Sequence, residues 1–147
     1  MMIKVFIEQT GEANEKNIFD KKTGALLDTV TIPLTYPYPY GYILDTEVSD
    51  GEELDCYVIT NKKLLTSSVV ECEVAGMWEW FENGQADHKI LATLAVESVK
   101  IDQAVQQKIK DFAIQFMADR RDAQYRLGKF LDKEKAEKLI VASRIDD

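Results

Sequence analysis

The chain has 147 residues and a formal net charge of −8, with 26 Asp and Glu against 18 Lys and Arg. This length predicts a single domain over residues 1–147, and the 46% hydrophobic content excludes a disordered chain. Nucleic-acid-binding proteins gain most of their affinity from cations laid against phosphates, so the acidic balance argues against a nucleic acid as partner.

The cysteines and the N-terminal segment bear on cellular compartment. Cys56 and Cys72 belong to no CxxC or Cys/His cluster, which favours two reduced, buried thiols over a zinc site or a disulfide. The first residues, MMIKVFIEQ, lack the long apolar core of a signal peptide, and no apolar run approaches the length of a membrane span. We therefore expect a soluble, cytoplasmic protein that does not bind membranes.

The first third of the chain predicts strands, a hairpin and an irregular segment. Apolar residues alternate over residues 3–7, as in a half-buried strand. The sequence Asp-Lys-Lys-Thr-Gly at residues 20–24 predicts a hairpin turn, since Gly24 can adopt a positive φ, and a second strand follows through Ile32. The three prolines, at positions 33, 37 and 39, predict an extended segment without a central strand.

Further strands and then helices are predicted along the rest of the chain. Residues 54–60, 69–81 and 88–96 are rich in Val, Ile, Cys and Trp and are separated by polar turns, a pattern typical of strands. From Asp102 the apolar spacing becomes three and four residues, which predicts a helix with Asp102 as its N-cap. A second helix is expected from about Asp132. Strands followed by helices indicate an α+β fold.

Two acidic turns could carry chemistry. In the first, residues 50–55, Asp50 and Glu52 lie two positions apart, as do Glu53 and Asp55, so in an extended chain each pair points to one side. Like charges held close together favour a bridging cation, and hard oxygen ligands suit Mg²⁺ or Mn²⁺. Alone, this segment is more typical of a solvated acidic turn.

The second turn, residues 82–89, lies between two predicted strands. It adds the carboxylates Glu82 and Asp87 and the amine of Lys89. Lys89 could neutralise a phosphate oxygen or extend along the surface to solvent. Two acidic turns that open onto neighbouring strands indicate a site more strongly than either turn does alone.

In the order and spacing of its motifs, the chain resembles the soluble family I inorganic pyrophosphatases. The residues that carry the resemblance are Ile7-Glu8, Lys16, Asp20 and Thr-Gly-Ala-Leu, then Tyr36-Pro37-x-x-Tyr40-Gly41-Tyr42-Ile43 with Thr46, then Asp50-Gly-x-x-Leu-Asp55, then Asp87-x-Lys89. The resemblance covers residues 8–95 well and the remainder weakly. It implies a five-stranded, OB-like closed β-barrel with two C-terminal helices packed on it.

The resemblance also assigns roles to individual residues. It implies metal ligands at Asp50, Asp55, Glu82, Asp87 and Glu8, and substrate-binding residues at Lys16, Tyr40, Lys89 and Arg121. The catalytic residues would be Glu52, Asp50 and Tyr40. Either Arg120-Arg121 or Tyr125-Arg126 could supply the phosphate contact at the end of the long helix, and spacing alone does not decide between them.

Four positions depart from the family pattern. Ile18 stands where the family has a glutamate and Thr29 where it has an arginine. Glu52 and Glu82 stand where it has aspartates, the first of which helps to activate water. The resemblance implies Mg²⁺-dependent hydrolysis of pyrophosphate by a homo-oligomer, a hexamer or a dimer, at a rate that these substitutions would lower. The alternatives are a hydrolase for another phosphoanhydride or organic phosphate, and a non-catalytic relative that binds metal or phosphate.

Overall fold

A computed structural model describes residues 1–12, 14–20, 22–48, 51–118, 120 and 122–145. Within these residues the elements are β1 (Met2–Gln9), β2 (Glu15–Phe19), β3 (Leu26–Thr31), β4 (Tyr40–Ile43), β5 (Asp55–Val58), β6 (Val69–Glu82), β7 (Gln85–Ala86), β8 (Lys89–Leu94), α1 (Gln103–Ala118), β9 (Tyr125–Leu131) and α2 (Lys133–Ser143). None of the helices in this described part is long and apolar enough to cross a membrane.

Five strands close into a barrel. The pairing order is β1-β4-β5-β8-β6, and β6 pairs back with β1. Neighbours are antiparallel except β5 and β8, which run parallel. This arrangement confirms the OB-like closed barrel. Outside the barrel, β9 and the short β7 extend the sheet from β6, and β2 and β3 form a separate two-stranded hairpin.

The alternating apolar residues of the strands fill the barrel. Val5 and Ile7 of β1 are fully buried, and so are Ile90 and Ala92 of β8. Cys56 and Cys72 lie in the same core as free thiols, as predicted, and burial raises the pKa of both. The protonated, buried thiols behave as small apolar side chains.

Both helices begin where the sequence predicts. The carboxylate of Asp102 accepts the backbone N–H of Val105 (3.0 Å), and that of Asp132 accepts the N–H of Lys135 (3.1 Å). These bonds satisfy donors that lack partners in the first turn of a helix. Ala136 and Ile140 then place α2 against the barrel core.

The proline-rich segment was predicted without a central strand, and this prediction is wrong from Tyr40 onward. Strand β4 begins directly after Pro39 and lies between β1 and β5. Proline has a fixed φ and no N–H group but keeps its carbonyl, and the carbonyl of Pro39 accepts the N–H of Val58 (2.9 Å). Gly41 has no Cβ, which allows the backbone of β4 to approach the carbonyl of Phe6 closely.

Strand β9 was also missed, because the sequence predicted only helices after Asp102. β9 pairs with β6 alone among the described strands, and most of its residues are half-buried or exposed. It contains Gly128 as well as Arg126 and Lys129, so the alternation that identifies a strand is weak.

Candidate active site

Asp55, Asp87 and Lys89 meet at one end of the barrel. β5 and β8 are parallel, with Cys56 opposite Ile90, so the first residues of these strands, Asp55 and Lys89, lie side by side. The Lys89 ammonium donates to Asp55 Oδ2 at 2.7 Å and to Asp87 Oδ2 at 3.1 Å. Two carboxylates from separate turns therefore converge on one cation.

The electrostatics of this group follow from its burial. Burial alone would lower the pKa of Lys89, but Asp55 and Asp87 outweigh it and raise the pKa. Burial raises the pKa of Asp87 to about 6, with Asp55 and Glu82 adding to the shift and Lys89 opposing it. The lysine is thus held charged, and the surrounding carboxylates favour additional positive charge nearby.

A cavity of about 140 Å³ opens beside Lys89. Its lining combines two lysines with one carboxylate and an aromatic wall: Glu8, Gln9, Lys16, Asn17, Tyr36, Tyr40, Tyr57, Trp80, Lys89, Phe112 and Phe116. The Lys89 ammonium lies 5.2 Å from the centre of the Trp80 ring. Burial and then the nearby Arg120 lower the pKa of Lys16, while Glu8 and Asp55 oppose the shift. The cavity has the size and charge to take a small anion.

The tyrosines of this cavity are neutral hydrogen-bonding groups. Burial, and then the charge of Asp55, raise the pKa of Tyr40 well above its ordinary value. Burial raises the pKa of Tyr36 to about 12. The Tyr40 ring packs on Tyr57 at 4.8 Å and on Tyr36 at 5.7 Å between ring centres. A phenol held in this way can donate its proton in a hydrogen bond to a phosphate oxygen.

Asp55 and Asp87 also line a second cavity, of about 280 Å³. Its described lining contains four carboxylates and neither Lys nor Arg: Glu47, Val48, Glu53, Leu54, Asp55, Ala86, Asp87, His88, Leu139, Ala142 and Ser143. The two aspartates therefore separate an acidic cavity from the cavity that contains Lys16 and Lys89.

The described residues bring together most of the predicted site. Glu8, Lys16, Tyr40 and Lys89 line one cavity, and Asp55 and Asp87 contact Lys89. Asp50 and Arg121 lie outside the described residues. No group of three or more Asp, Glu, His or Cys side chains among the described residues is arranged to hold a metal ion.

The other two predicted carboxylates lie nearer the edge of the site. Glu82, at the end of β6, lies 3.4 Å from the hydroxyl of Tyr125 and acts on Asp87 through its charge. Glu52 is exposed, and its carbonyl accepts the N–H of Val48 (2.8 Å). Both roles stay predictions.

Arg120 belongs to one of the two segments that the sequence left open for the phosphate contact at the end of the long helix. Its guanidinium lies 4.4 Å from the centre of the Phe116 ring, hydrogen-bonds to Tyr125 and lowers the pKa of Lys16. Arg126 instead stacks on Phe81 at 3.9 Å. Of the two arginines that sequence spacing left open and the structure describes, Arg120 is the one whose charge reaches the cavity.

The β2–β3 pairing shows which positions share a face with Lys16. Lys16 is opposite Val30, and Asn17 is opposite Thr29. Directly opposed residues point to the same face of a hairpin, and the Thr29 hydroxyl indeed donates to Asn17 Oδ1 at 2.8 Å. The expected arginine position, Thr29, thus lies on the other face from Lys16, and a side chain at position 30 would accompany it.

Comparison with solved structures defines the class of fold. The described chain superimposes on an inorganic pyrophosphatase from Neisseria gonorrhoeae with a TM-score of 0.87 and 24% identity, covering 97% of this chain and 88% of the other. An inorganic pyrophosphatase from Coxiella burnetii gives a TM-score of 0.85 and 24% identity, with 97% and 92% coverage.

Sequence comparison defines the family. The family model described as inorganic pyrophosphatase matches residues 5–146. An inorganic pyrophosphatase of Geobacillus stearothermophilus is 31% identical over 149 aligned positions, which cover 95% of this chain and 90% of the relative. One from Nanoarchaeum equitans is 28% identical, with 95% and 94% coverage. The chain belongs to the inorganic pyrophosphatase family, and the resemblance to family I is confirmed.

Proposed function

We propose that the protein hydrolyses inorganic pyrophosphate to two phosphates and that the reaction depends on Mg²⁺. The observation that carries this proposal is the convergence of Asp55 and Asp87 on Lys89, with Lys16 and Tyr40 completing an anion-sized cavity next to them. Membership of the inorganic pyrophosphatase family supports pyrophosphate as the anion.

The donor set suits Mg²⁺. Asp55 and Asp87 are partly buried carboxylates that already converge on a single positive group, 2.7 and 3.1 Å away. Burial raises the pKa of Asp87, and the charges of Asp55 and Glu82 add to the shift. These carboxylates are therefore close enough to repel one another, and a cation between them would relieve that repulsion. Mg²⁺ prefers hard oxygen ligands of this kind, and Mn²⁺ accepts them as well.

The residues proposed to hold the metal are those predicted from the sequence: Asp50, Asp55, Glu82, Asp87 and Glu8. Of these, Asp55 and Asp87 have the strongest support because they line the acidic cavity and both contact Lys89, which lines the anion cavity. Glu8 lies across the anion cavity beside Lys16. Bound Mg²⁺ would neutralise phosphate charge and lower the pKa of coordinated water.

The chain's own groups would bind and orient the substrate. The Lys16 and Lys89 ammonium groups are placed to neutralise phosphate oxygens, and the neutral phenol of Tyr40 is placed to donate a hydrogen bond. Trp80 and Phe112 form part of an apolar wall that excludes water and so strengthens these charge interactions. We keep Glu52 as the group that orients the attacking water.

The proposal is tested by phosphate release from pyrophosphate, with Mg²⁺ and with a chelator. We expect release with Mg²⁺, weaker release with Mn²⁺ and none with the chelator. Release from an organic diphosphate but not from pyrophosphate would replace the proposed substrate. Binding of Mg²⁺ or phosphate without any release would make the protein a non-catalytic relative.

The wider organisation of the protein is also a proposal. The family match over residues 5–146 supports a single domain. We propose in addition a cytoplasmic homo-oligomer, by analogy with the family, with a subunit number that light scattering of the purified protein would measure.

A further inference from the structure

The β2–β3 hairpin is attached to the barrel by polar side chains. Gln9, which is 3% exposed, donates from Nε2 to the carbonyl of Asn17 at 3.1 Å, and its Oε1 accepts the Asn17 N–H at 2.9 Å. The side-chain amide of one residue thus bonds both backbone groups of another, as a neighbouring strand would. The Asn17 side chain returns a bond from Nδ2 to the carbonyl of Glu8 at 2.8 Å.

Thr29 fixes the orientation of the Asn17 amide. Its hydroxyl donates to Asn17 Oδ1 at 2.8 Å. Since the oxygen of the amide is occupied by this donor, the NH₂ group is the one directed at the Glu8 carbonyl. We refer to Gln9, Asn17 and Thr29 together as the amide clamp.

The amide clamp joins residues that face the anion cavity. Lys16 precedes Asn17 in the chain, and Glu8 precedes Gln9. Gln9 is paired with Tyr40 of the adjacent strand β4, and the register of this pairing shifts at Glu8, between Ile7 and Gln9. Such a bulge redirects a side chain, and here Glu8 lines the same cavity as Lys16 and Tyr40. One set of hydrogen bonds therefore connects Asn17, the residue that follows Lys16, to Glu8 and Gln9 of the barrel strand β1.

The described residues of the hairpin that carries Lys16 bury little apolar surface. All residues of β3 are exposed, and in β2 only Phe19, at the far end, is buried, packed edge-on against Phe6 at 5.3 Å. Burial and Arg120 disfavour the charged ammonium of Lys16, while Glu8 and Asp55 attract it. The backbone of β2 sets where this side chain begins, and the amide clamp bonds that backbone to β1.

We infer that Gln9 and Asn17 are positioning residues that hold Lys16 against the substrate in the anion cavity, with Thr29 keeping the Asn17 amide in its working orientation. The inference rests on the proposed function for the identity of the anion. It gives Thr29 a role of its own at the position where the family pattern has an arginine.

A double-mutant cycle tests this inference. The variants are Gln9→Leu, Lys16→Met and the combination, each assayed for kcat and KM with pyrophosphate and Mg²⁺. We expect Gln9→Leu to raise KM roughly 10- to 100-fold, as small misplacements of a binding group do, with a smaller change in kcat. In the Lys16→Met background the same change should have little further effect, because residues that act through one another are not additive.

A milder pair of variants keeps the test independent of folding. Thr29→Val removes one hydrogen bond to Asn17 and should raise KM several-fold. Thr31→Val is the matched control, because Thr31 lies on the same strand two residues further on, is exposed, and makes no side-chain hydrogen bond in the described part of the chain. It should leave KM unchanged. Thermal unfolding of each variant shows whether a loss of activity reflects loss of fold.

Hydrogen exchange gives a readout that does not involve turnover. The backbone N–H of Asn17 should exchange faster in Gln9→Leu than in the unaltered protein. Additive effects of Gln9→Leu and Lys16→Met, or faster exchange with an unchanged KM, would overturn the inference while leaving the proposed function intact.

Failure of the proposed function has a different signature. If the unaltered protein binds pyrophosphate by calorimetry but does not hydrolyse it, the same cycle is measured on the dissociation constant. Non-additive effects of the two substitutions on the dissociation constant would support the positioning role of the amide clamp in a protein that binds pyrophosphate without hydrolysing it. Equal binding by the unaltered protein and by Gln9→Leu overturns it.

Discussion

The carboxylate side of the site and its hairpin side are held in place by different interactions. Asp55 and Lys89 are the first residues of two adjacent strands, whose following residues Cys56 and Ile90 are fully buried. Lys16 lies on a two-stranded hairpin whose second strand is exposed throughout. Burial of a large apolar side chain contributes about 1.5–3 kcal/mol to the stability of the folded state, whereas a typical hydrogen bond contributes about 1 kcal/mol. The carboxylate side is therefore held more firmly than the hairpin side.

This difference indicates where the site can change without loss of the fold. The barrel fixes Asp55, Asp87 and Lys89 through its core, so substitutions there act on structure and chemistry together. Substitutions in the hairpin can alter how substrate is bound and leave the barrel intact. Two of the four departures from the family pattern, Ile18 and Thr29, lie in the hairpin.

Removing a charge on the carboxylate side should have the largest effect. Asp55→Asn keeps the shape of the side chain but withdraws the negative charge nearest to Lys89. Stabilisation by a bound metal is worth several kcal/mol, so we expect Mg²⁺-dependent turnover to fall roughly a thousandfold. Phosphate release measures this loss. Asp111→Asn, an exposed change on α1, serves as control, and substantial activity in Asp55→Asn would show that the carboxylate site is misplaced.

Removing the cation between the aspartates should affect stability as well as turnover. Lys89→Met leaves Asp55 and Asp87 close together without their shared partner. Breaking a buried ion pair in this way costs about 3 kcal/mol, and we expect turnover to fall about a hundredfold. Added Mg²⁺ should recover part of the stability, because a ligand of the folded state stabilises it.

Urea unfolding with and without Mg²⁺ measures both effects of Lys89→Met. The control is Lys138→Met, whose ammonium is exposed and pairs only loosely with Glu134 at 3.7 Å; it should change stability by less than about 1 kcal/mol. A Lys89→Met protein as stable as the unaltered one, with no larger response to Mg²⁺, would contradict this account of the buried group.

Periodicity was sufficient to predict the elements whose core residues recur at a regular spacing. The alternation over residues 3–7 marks the face of β1 that fills the barrel, although Phe6 on the other face is buried against Phe19 and Tyr42. The helical spacing after Asp102 marks the buried face of α1. Strand β9 escaped prediction because it lies at the edge of the sheet and buries little. Strand β4 was not predicted because Pro39 immediately precedes it. A proline disrupts a strand only where it takes the place of a residue that donates an N–H to the sheet, and Pro39 lies before the first residue of β4.

The candidate site was predictable where it depends on strand ends, and less so elsewhere. Asp55 and Lys89 come together because each is the first residue of a strand of the barrel. The polar turns before these strands indicated where the strands begin. The contact of Gln9 with Asn17 depends on the register shift at Glu8, and no sequence pattern specifies that shift. The position of Arg120 depends on how the chain leaves α1, which spacing could not determine.

Introducing an arginine on the hairpin should have the smallest effect, and it should be a gain. Val30 is opposite Lys16 and is 37% exposed, so Val30→Arg adds a guanidinium beside the cavity without burying a charge. A hydrogen bond to a charged group contributes about 1.5–3 kcal/mol, part of which repulsion from Lys16 would offset. We therefore expect kcat/KM for pyrophosphate to rise about tenfold.

The matched variant Thr29→Arg tests which face of the hairpin is directed at the substrate. It places the same side chain one residue earlier, on the face that carries Asn17, and removes the hydroxyl that orients the Asn17 amide. We expect it to lower kcat/KM. The gain in Val30→Arg should shrink at high salt, because exposed charges are screened. If Thr29→Arg improves the enzyme and Val30→Arg does not, the face of the hairpin that carries Asn17, which also lines the cavity, is the one that reaches the substrate.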